Sequence, residues 1–326
     1  MYTNPILDDN FPDPTIIRAA DGWYYAYGTQ TRLADGRIVN IQVARSRDLT
    51  AWEYLGDALP HKPAWAAATQ KLWAPHVSEA AGRYYLYYSA RPDDAPDGAL
   101  ALAVAVADGP AGPFVDSGRP LLRGPGFTCI DPMAYDDPAT GQRLLYWGSG
   151  FGPLWVQALA EDRVSFAPSS AARAVVQPSG PADDAANYHR LIEASWLHRR
   201  DGWYYLFFSG DNCCGPRAHY AVLVARSRAA TGPFEVQPAP VVAANAHWLA
   251  PGHNCVVTDA AGQDWLAYHA IDVRRPTFAA IDDAEGYTRR ALLLDRLDYD
   301  PDGWPRVAGG TPSWQPQPGP AGALVP

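Results

Sequence analysis

The chain has 326 residues, of which 48% are hydrophobic, 19% charged and 12% aromatic, and this apolar content excludes a disordered chain. Lys and Arg number 26 against 35 Asp and Glu, so the net charge is −9 and no basic stretch suits a nucleic-acid backbone. The longest apolar run, residues 99–107, is far shorter than the ~20 residues that span a bilayer, so no membrane partner is expected.

The first residues, MYTNPILDDNFPDP, lack the basic and apolar regions of a secretion signal. This predicts a cytoplasmic protein, or a secreted one if a signal has been removed. The four cysteines, Cys129, Cys213, Cys214 and Cys255, form no CxxC pair, which argues against a zinc site. Free buried thiols are expected, and a strained disulfide between Cys213 and Cys214 is the alternative.

A turn glycine followed by aromatic and aliphatic residues recurs five times. Successive glycines are 60, 59, 61 and 60 residues apart. The segments are GWYYAYGT from Gly22, GRYYLYYSA from Gly82, GQRLLYWGS from Gly141, GWYYLFFSG from Gly202 and GQDWLAYHA from Gly262. Each segment predicts a tight turn followed by a strand.

Another short segment lies 8 to 10 residues before each turn glycine, a distance that fits one strand of about 5–6 residues and a hairpin turn. These segments begin at Asp13, Ala74, Asp131, Glu193 and His253. Alternating small and β-branched residues then predict a third strand after most of the glycines. In the fifth unit the sequence RRALLLDRLDYDPDGWP takes that place.

Five units of about 60 residues, each with three or four strands, predict an all-β fold, a five-bladed β-propeller formed by residues 1–326 as one domain. A β-helix or two stacked sandwiches are the alternatives, but the period is too long for β-helix rungs. The Pro-rich segment 311–326 is expected to be a covering or ring-closing extension.

The innermost strand of each propeller blade lines the central channel, so the residues that begin the short segments should converge on the axis. Asp13, Asp131 and Glu193 would then meet beside His253. Clustered carboxylates raise one another's pKa, and hydrolysis of a glycosidic bond needs such a group, with one protonated and one ionised carboxyl. Acids on non-adjacent blades favour the wider spacing of about 6.5–9.5 Å, which gives inversion of configuration.

Aromatic side chains near these positions suit stacking on a sugar. They are Trp73, Trp147, Phe151 and Trp196. Packing inside a blade explains any one of them more simply, and an Asp before Pro often only caps a turn. The prediction therefore depends on the shared phase of the carboxylates within the repeat.

The motifs together resemble those of the family 43 glycoside hydrolases, a family of five-bladed propellers. The matching pieces are NFPDPTII, LWAPHV, CIDPMAY, IEASWL, PGHNCVV and RALLLDRLDYDPDGWP, in the order of the family and over almost the whole chain. The resemblance implies an inverting mechanism with no cofactor required for the chemistry. It assigns Asp13 as general base, Glu193 as general acid and Asp131 as the residue that tunes and orients the acid.

Two further roles are implied by the same resemblance. Arg290 would contact the sugar and a carboxylate, with Arg289 as the competing candidate. His253 resembles the axial histidine that approaches a structural calcium in arabinan-active members, and a hydrogen-bonded histidine without metal is the alternative. His76 stands where many members have Asp, so a contact around the three acids differs here.

The substrate expected from the resemblance is an arabino- or xylo-oligosaccharide derived from hemicellulose or pectin. An exo-acting α-L-arabinofuranosidase, with β-xylosidase activity as an addition, is favoured. An endo-α-1,5-L-arabinanase is the alternative enzyme, and an inactive carbohydrate-binding propeller is the alternative of another class.

Overall fold

The computed structural model describes residues 1–95, 97–277 and 289–321, and the description below concerns these residues. They form five antiparallel sheets in chain order, together with two small hairpins and three short 3-10 turns. The sheets follow the five predicted units, so each unit is one blade of a β-propeller.

The strands of blade 1 are β1 (Thr15–Arg18), β2 (Tyr24–Gly28), the hairpin β3 (Thr31–Arg32) and β4 (Ile38–Val39), β5 (Gln42–Ser46) and β6 (Trp52–Asp57). Those of blade 2 are β7 (Leu72–Ala80), β8 (Arg83–Ala90), β9 (Leu100–Ala107), β10 (Val115–Asp116) and β11 (Leu122–Gly124), preceded by the 3-10 turn Ala64–Ala66. Those of blade 3 are β12 (Met133–Asp136), β13 (Arg143–Trp147), β14 (Leu154–Ala158) and β15 (Arg173–Val176).

The strands of blade 4 are β16 (Glu193–Arg200), β17 (Trp203–Asn212), β18 (His219–Ser227) and β19 (Glu235–Val236), preceded by the 3-10 turn Tyr188–Arg190. Those of blade 5 are β20 (Trp248–Thr258), β21 (Asp264–Asp272) and β22 (Ala291–Arg296). The hairpin β23 (Asp298–Tyr299) and β24 (Pro305–Arg306) and the 3-10 turn Ala308–Gly310 follow.

The first strands of the blades form a closed ring. Contacts run from β1 to β7, then to β12, β16 and β20, and from β20 back to β1. Each first strand pairs antiparallel with the second strand of its own blade. The start of every blade therefore faces the same axis, as the repeat predicts.

The N-terminal segment pairs with the outer strand of blade 5. The N–H of Ile6 donates to Leu292 O at 2.9 Å, and the N–H of Leu292 donates to Leu7 O at 3.2 Å. Tyr2 pairs in turn with Gln317, which places the described part of the Pro-rich segment, residues 311–321, beside this junction. Residues 322–326 of the predicted extension lie outside the described residues.

The aromatic residues of the turn strands pack between blades. Tyr146, Tyr205 and Tyr268 are each at most 2% exposed. Their hydroxyls still find acceptors, as when Tyr146 donates to Ala230 O in the next blade at 2.5 Å. The repeated aromatic pattern thus builds the interfaces that hold the blades around the ring.

Candidate active site

One residue at the axial start of each blade has a left-handed backbone. The φ angles lie between 48° and 60°, a region that side chains other than glycine rarely occupy. The five residues are Asp13, Ala74, Asp131, Ala194 and His253. Such strained positions persist only where the surrounding structure holds them, and they cluster at functional sites.

The backbone N–H of each of these residues donates a hydrogen bond to a side chain of the preceding blade. The five bonds are Asp13 to His269 Nδ1 (3.0 Å), Ala74 to Thr29 Oγ1 (2.7 Å), Asp131 to Ser89 Oγ (3.0 Å), Ala194 to Asp131 Oδ2 (3.1 Å) and His253 to Ser209 Oγ (2.8 Å). These bonds satisfy the turned N–H groups and tie each blade to its neighbour.

Blade 3 departs from this pattern. In four blades the acceptor lies at an equivalent position, within the end of the second strand or directly after it. The four residues are Thr29, Ser89, Ser209 and His269, and Gly148 is their counterpart in blade 3. A Cβ on Gly148 would lie 2.7 Å from Pro153 O, and its φ of 129° also excludes other residues. Because Gly148 has no side chain, the N–H of Ala194 bonds the carboxylate of Asp131 instead.

The register corrects one sequence prediction. Ala194, and not Glu193, is the blade 4 equivalent of Asp13 and Asp131. Glu193 pairs with Ser209 as Trp73 pairs with Ser89, so Glu193 lies one residue ahead of the predicted phase. A break in strand register follows both residues, and such bulges re-aim side chains that strict alternation would send elsewhere.

Asp13 is buried against one arginine, one threonine and two histidines. Arg290 donates to Asp13 Oδ1 at 2.9 Å and Thr29 donates to Oδ2 at 2.5 Å. The Nδ1 atoms of His253 and His269 lie 3.4 and 3.3 Å from Oδ1. Burial raises the pKa of Asp13, but Arg290 and the two histidines outweigh it and hold the pKa well below its ordinary value. Asp13 is therefore ionised at neutral pH.

Glu193 has neutral partners. Ser149 donates to Oε2 and Tyr220 donates to Oε1, both at 2.6 Å. Burial raises the pKa of Glu193, the charge of Asp13 adds to the rise, and the two hydroxyls only partly offset it. Glu193 thus holds its proton more readily than an ordinary glutamate.

Asp131 links the other two acids. Burial raises its pKa well above the ordinary value, and the charges of Glu193 and Asp13 raise it further. Its Oδ2 accepts from the N–H of Ala194, the residue that follows Glu193. The three predicted carboxyls therefore interact electrostatically within one axial cluster, and Asp131 anchors the start of the strand that carries Glu193.

The structure shows which of Arg289 and Arg290 contacts a carboxylate of the axial cluster. Arg290 is buried against Asp13 in the axial cluster. Arg289 turns the other way and forms an ion pair with Asp8, outside this cluster. Arg290 is therefore the cation of the site.

The predicted aromatic contacts divide into two groups. Trp73 is partly exposed and stacks on Phe127, with ring centroids 6.3 Å apart. Phe151 is 63% exposed in the turn between β13 and β14 of blade 3, where Gly150 O accepts from the N–H of Ile192 beside Glu193.

Trp147 and Trp196 form the other group, because both are buried. Trp147 packs against Phe166 at 5.7 Å and Trp196 against His76 at 5.3 Å. Their burial suits the packing of blades, so the prediction that they stack on a sugar has no support from their positions.

The described residues around His253 offer few direct protein ligands for the predicted calcium. His253 is buried, and burial lowers its pKa, so its imidazole is neutral. The nearest carboxylate, that of Asp13, is already engaged by Arg290 and Thr29. Within the described ranges no group of three or more His, Cys, Asp or Glu side chains is placed to hold a metal. The contact of His253 with calcium among water molecules therefore stays a prediction.

Several residues of the site were missed by the sequence analysis. They are Thr29, Ser89, Ser149, Tyr220 and His269. Thr29, Ser89 and His269 share one position in the repeat, just after the aromatic run, and that shared position was a signal. Ser149 and Tyr220 carry no such signal, because they reach Glu193 from a turn and from a third strand.

A five-bladed propeller with buried carboxyls in opposite electrostatic environments at its axis has the groups that acid–base hydrolysis of a glycosidic bond needs. The model of the glycosyl hydrolases family 43 matches residues 2–305, and the chain belongs to this family. No helix of the described residues is long and apolar enough to cross a membrane.

Three known proteins illustrate the likeness. The "Extracellular exo-alpha-(1->5)-L-arabinofuranosidase ArbA" of Cellvibrio japonicus is 28% identical, over 90% of this chain and 85% of its own. The "Probable arabinan endo-1,5-alpha-L-arabinosidase A" of Aspergillus clavatus is 29% identical, over 91% of both chains. The crystal structure of a thermostable family-43 glycoside hydrolase superposes with a TM-score of 0.78 at 26% identity, over 98% of this chain and 99% of that one. The Cellvibrio relative is named as extracellular, which gives no support to the predicted cytoplasmic location and is compatible with the secreted alternative.

Proposed function

We propose that this glycoside hydrolase is an exo-acting α-L-arabinofuranosidase that inverts configuration and releases terminal arabinofuranosyl residues from oligosaccharides of hemicellulose or pectin. The observation that carries the acid–base assignment is the contrast in partners: Arg290 is bonded to Asp13, whereas the hydroxyls of Ser149 and Tyr220 are bonded to Glu193. The choice of sugar is supported by the similarity to the Cellvibrio arabinofuranosidase.

In the proposed reaction Asp13 takes a proton from a water molecule, and the oxygen of that water molecule attacks the anomeric carbon. The glycosidic C–O bond breaks, and Glu193 gives its proton to the leaving oxygen. Asp131 holds the start of β16 through Ala194 and so positions the acid. Arg290 keeps Asp13 ionised, and Trp73 and Phe151 offer ring faces to the substrate.

The test is hydrolysis of nitrophenyl α-L-arabinofuranoside and nitrophenyl β-xyloside, with the product anomer read by NMR. We expect the arabinoside to be cleaved faster and the first product to have the inverted anomeric configuration. A retained anomer would exclude Asp13 as a base acting on water. Faster cleavage of the xyloside would replace the proposed specificity by β-xylosidase activity.

An endo-arabinanase is the second candidate, because the Aspergillus relative carries that name. Digestion of linear arabinan separates the two modes. Early release of arabinose alone supports the exo mode, whereas a ladder of oligosaccharides with little arabinose would establish the endo mode. Binding of arabino-oligosaccharides without any hydrolysis would establish the inactive binding propeller.

A further inference from the structure

Two adjacent thiols lie in the turn between β17 and β18. Cys213 and Cys214 are free and partly buried. Asn212 Nδ2 donates to Cys214 O and to Arg217 O, both at 3.0 Å, and so holds the turn in shape. The proposed hydrolytic reaction uses neither sulfur.

This turn forms part of the wall of the candidate active site. Cys213 packs against the cluster of Tyr220, Ala250 and Ile271, and the hydroxyl of Tyr220 donates to Glu193 Oε1. The charges of Arg290 and Glu193 act on both thiols. A chemical change at the sulfurs is therefore placed to reach the general acid through one side chain.

The two thiols are hydrogen-bonded to each other and differ in acidity. This bond, followed by burial, raises the pKa of Cys213 well above its ordinary value. The same bond, opposed by burial and helped by Arg290, lowers the pKa of Cys214 to about 7. Burial raises the pKa of Cys129, and it raises that of Cys255 to about 12. Thiolates react and buried thiols are inert, so Cys214 is the most nucleophilic cysteine.

We propose that Cys213 and Cys214 are a redox-sensitive modification site, at which hydrogen peroxide converts the dithiol to a vicinal disulfide and suppresses hydrolysis. Its effect on activity rests on the proposed function. The site itself rests on the adjacency of the thiols and on their place beside Tyr220, Glu193 and Arg290.

The chemistry balances in two steps. The Cys214 thiolate attacks one oxygen of hydrogen peroxide, the O–O bond breaks, and hydroxide leaves and becomes water after taking up a proton. Cys214 is then a sulfenic acid. Cys213 Sγ attacks Cys214 Sγ, the S–O bond breaks, and the hydroxide leaves with the Cys213 proton as a second water. One peroxide is reduced to two waters, and two thiols are oxidised to one disulfide.

A disulfide between neighbours in sequence is strained and therefore easily reduced. Relaxed disulfides join Cα atoms about 4.4–6.8 Å apart, whereas consecutive Cα atoms are about 3.8 Å apart. Strained disulfides have higher reduction potentials and are the labile ones, so a thiol reductant should restore the dithiol. Ring closure moves the Cys213 sulfur, which packs against the cluster that contains Tyr220, and we expect this movement to disturb the hydrogen bond from Tyr220 to Glu193.

The experiment treats the folded enzyme with hydrogen peroxide and measures free thiols, intact mass and residual activity before and after dithiothreitol. Cys214→Ser and Cys213→Ser are compared with wild type and with Cys129→Ser, the matched control at a buried thiol. Activity of each protein is expressed relative to its own untreated sample.

We expect wild type and Cys129→Ser to lose two thiols and the mass of two hydrogen atoms. Their activity should fall about tenfold, as loss of one hydrogen bond to the general acid would cause, and recover with dithiothreitol. Cys214→Ser should keep its relative activity. Cys213→Ser should gain one oxygen atom at Cys214 and form no intramolecular disulfide.

Two outcomes would overturn the proposal. Oxidation of Cys129 or Cys255 before the pair, located by peptide mapping of wild type, would show that the pair is not the sensitive site. Formation of the disulfide with unchanged activity would remove the link to hydrolysis. If the untreated protein hydrolyses none of the test substrates, the proposed function fails, while mass and thiol counts still decide whether the pair reacts.

Discussion

The two sides of the axial cluster hold the same chemical group in opposite environments. On the side of blades 1 and 5, Asp13 faces a guanidinium and two imidazoles. On the side of blades 3 and 4, Glu193 faces the hydroxyls of Ser149 and Tyr220. Burial penalises the charge on both, and only Asp13 has a buried guanidinium bonded to it to overcome that penalty.

This difference shows how a nearly symmetric ring produces two chemical roles. The backbone repeats from blade to blade, including its left-handed residues and their cross-blade hydrogen bonds. The partners supplied by each blade do not repeat, and they set the protonation state. Variants that change one side of the cluster, or the ring that both sides share, test this difference, and the largest effect is expected at the two acids.

Removing either acid should cost the most. We expect Asp13→Asn and Glu193→Gln each to lower kcat by about 100- to 10,000-fold on an arabino-oligosaccharide, the usual contribution of general acid–base catalysis. On a nitrophenyl arabinoside, whose leaving group needs little protonation, Glu193→Gln should lose much less, whereas Asp13→Asn should lose as much as before. Equal losses of the two variants on both substrates would contradict the separate roles.

Removing the cation should move the acidic limb of the pH profile. Arg290 lowers the pKa of Asp13, so Arg290→Gln should raise it, and the base should become protonated at a higher pH. We expect the acidic limb of kcat/KM to shift to higher pH. Arg289→Gln removes an equal charge that is paired with Asp8, and its limb should stay in place. A shift of the acidic limb in both variants, or in neither variant, would count against the Arg290 assignment.

Removing a hydroxyl from the other side should move the alkaline limb. Tyr220 lowers the pKa of Glu193 through its hydrogen bond, so Tyr220→Phe should raise that pKa and keep the acid protonated to higher pH. The alkaline limb of kcat/KM should therefore shift upwards, while the acidic limb remains. Tyr205→Phe, whose hydroxyl bonds Gly303 O away from Glu193, is the control and should leave both limbs unchanged.

The smallest effect is expected on the ring that both sides share. Ser89→Ala leaves the buried N–H of Asp131 without its acceptor, which should lower the free energy of unfolding by about 1–3 kcal/mol in urea denaturation. Ser195→Ala is the matched control, because its buried hydroxyl has no hydrogen-bond partner among the described residues. Equal stability of the two variants would show that the cross-blade bond contributes little.

The repeat period alone determined the fold, because a unit of about 60 residues is long enough for one four-stranded blade and five such units close a ring. It also brought Asp13 and Asp131 to the axis, since the first strand of every blade must lie there. The family motifs indicated Glu193 and Arg290 in the same way, and the structure brings both to the cluster.

Only the tertiary structure decided the finer points. Glu193 lies one residue ahead of the repeat because Ala194 is the residue of blade 4 that takes the left-handed conformation, and sequence spacing does not reveal which residue does so. Whether Arg289 or Arg290 faces Asp13 depends on the alternation of side chains along one strand, which a shift of one residue reverses. Ser149 reaches Glu193 from blade 3, and Arg290 reaches the thiols of blade 4 from blade 5, so these contacts exist only once the blades have closed around the axis.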